Sequence, residues 1–229
     1  MKLSWWKIVT IVLLTYTVIG GLLMEVPRLP ILNETIRNLY FHVPMWFSMI
    51  IQMLVGTVYA IKYLKSSNTE HDLKSVEFTN AGILFGILGL LTGMLWAKFT
   101  WGDFWTGDPK LNATAVGMMF YMGYFVLRNS LQDAEQKARI SGIYNIFIFP
   151  LFVALIFVLP RLTDSLHPGN GGNPGFNAYD LDSKLRLVFY PAVIGWILLG
   201  VWIATLKVRL RKAEDKILEK QEDSQRAIL

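Results

Sequence analysis

The sequence predicts an all-α, polytopic membrane protein with six transmembrane helices, and three observations carry that prediction. Of its 229 residues 53% are hydrophobic and only 17% charged, whereas a soluble domain carries about a quarter charged residues. The mean hydropathy is +0.40. The charges also fall in clusters, separated by six uncharged runs, each in the range of roughly 17–25 residues that a helix needs to cross the hydrocarbon core.

The runs are 8–24, 43–61, 78–97, 111–127, 140–160 and 187–206. Lys2 and Lys7 ahead of the first resemble the start of a signal peptide. Met24-Glu25-Val26-Pro27 makes a poor cleavage site, so this run is expected to stay as the first helix. Residues 1–206 then form one membrane domain, and 207–229 a charged tail that leaves the membrane as a fraying helix. No internal repeat points to an inverted-repeat transporter.

Cytoplasmic loops collect Lys and Arg. With both termini cytoplasmic, the inner segments hold fifteen of the 22 Lys and Arg and the outer segments seven; without the tail the ratio is eight to seven. The orientation therefore rests on the tail and the N-terminal lysines. The same bias accounts for the net charge of +5 without nucleic acid. There is no cysteine, which excludes disulfides, thiolate metal sites and covalent Cys-x-x-Cys-His haem attachment.

Three outer segments result: 25–42, 98–110 and 161–186. They gather His42, His167 and four aromatics, Phe99, Trp101, Phe104 and Trp105, interleaved with Gly102 and Gly107. His71, between Glu70 and Asp72, lies on the other side and reads as a solvated loop residue. Trp5, Trp6, Trp46 and Trp96 fit an interfacial aromatic belt. Trp101 and Trp105 fit it less well. If their loop is helical they share a face, and the four rings form an apolar shelf to be covered by lipid, by other loops or by a flat ligand. Asp108 before Pro109 is a helix N-cap followed by Pro at the first helical position.

A lone interfacial histidine usually bonds water or a carbonyl. Two on one face with an aromatic shelf suit haem, because imidazole is an axial ligand of haem iron. Arg28, Arg37, Lys98, Lys110 and Arg161 are the available cations for its propionates.

The stretch Trp101-Gly-Asp-Phe-Trp-Thr-Gly-Asp108 resembles the tryptophan-rich signature of the CcmC/CcsA haem-handling family, approximately Trp-Gly-x-x-Trp-x-Trp-Asp. Tyr40-Phe-His-Val-Pro-Met-Trp46 is similar to the family's first histidine segment, and His167 matches the position of the second. Six spans in about 230 residues resemble the haem exporter C branch of cytochrome c maturation. The resemblance covers roughly 39–206. Gly107 stands where a third tryptophan is usual, Pro109 replaces a small residue, and a Gly/Asn/Pro-rich run, 168–177, follows His167.

The resemblance implies non-covalent haem b at the periplasmic face of a bacterial inner membrane, with His42 and His167 as axial ligands. Trp101, Gly102, Trp105 and Asp108 would form the haem platform and docking surface. The implied partners are a membrane-anchored haem chaperone, an ABC transporter pair and a small membrane subunit. The protein would deliver haem and would not be an enzyme. The alternatives are a redox cytochrome b subunit, which usually buries its histidines within spans, and a cofactor-free structural subunit. An ion-coupled transporter predicts ionisable residues inside the helices, and the six runs hold no Asp, Glu, Lys, Arg or His, with His42 standing at the extreme end of the second, just before Val43.

Overall fold

A computed structural model of the chain describes residues 4–29, 31–167 and 181–226. Among them there are six long α-helices and no strand. They are α1 (Trp5–Leu23), α2 (Leu39–Ser66), α3 (Thr69–Trp101), α4 (Pro109–Ser130), α5 (Ala134–Val153) and α6 (Ser183–Arg226). A 3-10 turn, Asn33–Asn38, leads into α2, and α5 runs on through a π turn and a 3-10 turn to Arg161. The 168–177 run lies outside the described residues.

Five of the helical stretches are long and apolar enough to cross a membrane, and the protein is a multi-pass membrane protein. The remaining helix, α4, has 22 residues but contains no stretch as apolar as those in the other five. Helices α2, α3 and α6 overrun the expected spans. At 33 residues α3 reaches about 50 Å at 1.5 Å per residue, against a hydrocarbon thickness of about 30 Å. Its two ends therefore stand in water or headgroups, where Glu70, Asp72, Lys98 and Trp101 belong.

The elongation corrects the reading of His71, which lies in the first turn of α3 rather than in a loop. Its Nδ1 is 3.0 Å from Ser66 Oγ and its ring tilts against Tyr59. The α6 helix continues unbroken through the charged tail to Arg226.

Helix α2 is the hub, packed on α3, α5 and α6, and α1 lies against α6. Side-chain-to-backbone bonds fix the α2–α6 contact: Ser48 donates to the Trp196 carbonyl at 2.9 Å and Gln52 to that of Ile197 at 3.2 Å. Pro191 in α6 has no N–H for the carbonyl four residues back. That carbonyl, Leu187, accepts from Tyr16 of α1 at 3.3 Å. Charged pairs close the bundle at the end remote from His42. Arg128 of α4 grips Asp72 of α3 through two bonds, at 2.9 and 2.6 Å. Glu77 of α3, only 1% exposed, faces Lys207 and Arg211 of α6. The sequence places Glu77 one residue outside the third expected span, yet it is buried and paired.

Candidate functional site: two anchored histidines

His42 sits in the first turn of α2 and is 7% exposed. It sits at one end of a glycine face on α3, formed by glycines 82, 86, 89 and 93 at a spacing that keeps them together; Gly82 and Gly86 face methionines, Gly89 faces Trp46 and Gly93 faces His42. A β-carbon at Gly93 would come 2.6 Å from His42 Cε1, so only glycine admits the ring where it lies. The ring Nδ1 lies 2.9 Å from the Gly89 carbonyl oxygen and 3.2 Å from Thr92 Oγ1. The Trp46 indole donates to Nε2 at 3.1 Å. Trp46 and Trp96 both meet the imidazole edge-on, at 5.9 and 5.8 Å between centroids. Trp96 is itself oriented by donating to Thr35 Oγ1 at 3.1 Å. These two tryptophans, expected as members of an interfacial belt, also wall a histidine.

His167 is held just as definitely by a different device. Asp108, 4% exposed, caps α4 by accepting from Lys110 N at 2.9 Å and Leu111 N at 3.4 Å. The same carboxylate accepts from the backbone N–H of Leu166 at 2.6 Å and from Ser165 Oγ at 2.9 Å. Its Oδ1 lies 2.9 Å from His167 Nδ1. One side chain therefore both starts a helix and docks the 165–167 segment onto it. The ring of Trp101, the last residue of α3, lies edge-on to His167 at 5.2 Å. Trp96 and Trp101 are five residues apart on α3, about 7.5 Å along its axis, so this one helix furnishes a wall to each histidine.

The heme exporter protein C (CcmC) family model matches residues 1–228. The chain belongs to that family. Relatives named "Heme exporter protein C" include that of Haemophilus influenzae, 24% identical over 88% of this chain and 80% of its own length. Those of Paracoccus denitrificans and Escherichia coli are 25% and 23% identical, covering 78% and 77% of this chain and 73% and 70% of theirs.

In this member of the heme exporter protein C family, the loop between α3 and α4 is not helical, so Trp101 and Trp105 do not share a helix face. Trp101 and Asp108 converge on His167. Trp105 is 43% exposed and donates to Asn112 Oδ1 at 2.9 Å, while Asn112 Nδ2 holds the Gly107 carbonyl at 3.0 Å. Gly102 ends α3 at φ +94°, the left-handed geometry for which glycine is suited. Phe99 and Phe104 are 70% and 50% exposed, so with Trp105 they present an uncovered apolar edge.

Gly107, where the family signature usually has tryptophan, has φ +73°. Side chains disfavour this region by about 1–2 kcal/mol, although a β-carbon there meets nothing within 4 Å. Gly107→Trp is accordingly expected to lower folding stability by about 1–2 kcal/mol rather than complete the shelf. Thermal unfolding in detergent checks this; a midpoint at or above that of the parent contradicts the strain argument.

Of the five cations named from sequence, three are engaged locally. Arg161 donates to the Phe157 carbonyl at 2.5 Å. Lys98 donates to the Gly102 carbonyl at 2.6 Å. Arg37 binds Glu34 and the carbonyls of Gly21 and Met24. Lys110 and Arg161 lie within electrostatic reach of one another, and neither forms an ion pair with a described residue. Arg28 is exposed.

The sequence reasoning misses Trp46, Thr92, Trp96, Ser165, Asn112 and the glycine face as parts of the site. The available signals are Trp46 four residues after His42, on the same helix face, and the regular glycine spacing in α3.

Proposed function

We propose that this protein holds non-covalent haem b between His42 and His167 and delivers it to a membrane-anchored haem chaperone for c-type cytochrome biogenesis. It acts as a transport and delivery component of a haem exporter and not as an enzyme. The observation that supports this best is the shared mounting of the imidazoles. Each has Nδ1 against an acceptor, the Gly89 carbonyl for His42 and the Asp108 carboxylate for His167. Ligand histidines are oriented in this way, with the far nitrogen left for the metal.

The other groups suit the same cargo. Trp101 and the exposed rings of Phe99, Phe104 and Trp105 offer apolar surface to a porphyrin and to the chaperone that collects it. Lys110 and Arg161, within electrostatic reach of one another and in no ion pair with a described residue, are the cations for the propionates. Absence of cysteine leaves haem held by coordination and packing alone. The excess of Lys and Arg on the opposite segments and tail puts both termini in the cytoplasm. The haem site then faces the periplasm of a bacterial inner membrane, beside the ABC transporter pair and small subunit of the exporter.

The test is the absorption spectrum of purified full-length protein loaded with haem. The parent is expected to show six-coordinate haem that acidified solvent extracts. His42→Ala and His167→Ala should each lose or alter that spectrum, and His71→Ala should not. Haem content and spectra the same as the parent's in all three variants would rule out the axial assignment.

A further inference from the structure

His42 and His167 are mounted alike at Nδ1 and, among the described residues, differ at Nε2. We propose that the Trp46 indole N–H is a displaceable cap on the iron-binding nitrogen of His42, competing with haem iron for one lone pair. The inference rests on the haem-holding reading above and names a control element within that site.

The hydrogen-bond partners fix the tautomer. A backbone carbonyl only accepts, so Nδ1, 2.9 Å from Gly89 O, carries the proton. An indole nitrogen only donates, so Nε2, 3.1 Å from Trp46 Nε1, is bare. An imidazolium would set N–H against N–H at Trp46. The neutral ring with its proton on Nδ1 is the form that satisfies both partners, and its single Nε2 lone pair is directed at Trp46. Iron ligation through that nitrogen requires the indole to let go.

Packing decides which of the two rings moves. His42 is buried against Gly93, where even a methyl group would overlap it, and is tied to Gly89. Trp46 is only partly buried and lies over Gly89, whose β-carbon would meet three of its ring atoms at 3.1–3.3 Å. Trp46 also packs against the main core cluster, but of the two rings it is the less enclosed, and the glycine beneath it presents no side chain to block a small shift. At His167 no described residue donates to Nε2; Asp108 holds the other nitrogen and Trp101 meets the ring edge-on. Among the described residues the two ligands are therefore unequal: nothing donates to the His167 lone pair, and the His42 lone pair is one that Trp46 can reclaim. A delivery component gains from this asymmetry, because the returning indole stabilises His42 as the iron leaves.

Trp46→Phe keeps a ring over Gly89 and deletes the N–H. In full-length protein loaded with ferric protoporphyrin IX, transfer to excess apomyoglobin is expected to slow about two- to tenfold, the worth of one net hydrogen bond. Ultraviolet resonance Raman supplies a second readout on the parent. The indole band sensitive to N–H hydrogen bonding should shift on haem loading, and that shift should be missing from Trp46→Phe. Unchanged or faster transfer from a variant that keeps the six-coordinate spectrum overturns the cap. So does a parental Raman band that haem leaves in place, which decides the matter even if the variant fails to fold. A parent whose spectrum ignores His42→Ala instead removes the haem-holding reading itself, and the cap with it.

Discussion

Asp108→Asn is expected to release the 165–167 segment from the head of α4 while leaving α4 capped. Asparagine is as good an N-cap as aspartate, so the bonds from Lys110 N and Leu111 N can persist. Its amide, however, has one acceptor oxygen where the carboxylate has two. Both Asp108 oxygens are in use, Oδ1 toward His167 and Oδ2 toward the Leu166 N–H. Whichever way the amide is turned, an NH2 group faces a donor. The charge-assisted bonds lost are worth about 1.5–3 kcal/mol in docking, and loss of an outer-shell partner typically weakens metal binding about 10–100-fold. Under the proposed ligation, haem titration should show that loss, His167 being no longer held by Asp108. A variant with parental haem affinity and six-coordinate spectrum would mean that His167 is positioned by something other than Asp108.

The same carboxylate gives a pH signature. Burial pushes the Asp108 acid up, but the His167 ring, the Leu166 N–H and the Ser165 hydroxyl together hold it well below the usual carboxylate range. A group depressed in the folded state stabilises fully above its unfolded value, about 3.9 for Asp, and loses that contribution as pH falls below it. The docking therefore holds throughout the neutral and mildly acidic range. In haem-free protein, thermal midpoints of the parent should acquire an extra decline below about pH 4 that Asp108→Asn lacks.

The helices are legible in the sequence because hydropathy is summed over many residues, and one misplaced polar group does not hide a span. Helix ends depend on single capping residues, and there the sequence succeeds only where the chemistry is local. Asp108 and Pro109 announce the start of α4, and the structure has that cap. The end of α3 at Trp101 is not announced, because Gly102 reads equally well as one of several loop glycines. The two histidines and the tryptophan-rich loop are also legible as a group, from topology together with the family signature. Their supports are not. That Asp108 reaches His167, or that Gly93 faces His42, depends on contacts between residues 59 and 51 positions apart, which no local pattern encodes. Trp46 and Trp96 have a satisfactory explanation as interfacial residues, and that explanation conceals their contact with His42.

Gly93→Ala should separate ligation from stability most sharply. In a helix interior, alanine is intrinsically better than glycine by about 0.5–1 kcal/mol, so α3 itself gains from the substitution. The new methyl group, however, meets His42 Cε1 at 2.6 Å, Nδ1 at 3.2 Å and Nε2 at 3.4 Å. The imidazole cannot back away and keep its 2.9 Å bond to the Gly89 carbonyl. It must tilt, which redirects Nε2 and breaks the alignment with Trp46. Haem affinity is therefore expected to fall about 10–100-fold, as for the loss of an orienting partner, with little change in thermal midpoint because helix propensity offsets the local strain. Gly142→Ala is the control: its β-carbon would find only ordinary contacts at 3.8–4.0 Å, so haem binding should be parental. If Gly93→Ala binds haem as the parent does, the glycine face serves helix packing alone and His42 tolerates a looser seat than this geometry requires. If both variants lose haem equally, the effect lies in general bundle packing, and the specific fit of His42 against Gly93 is not its cause.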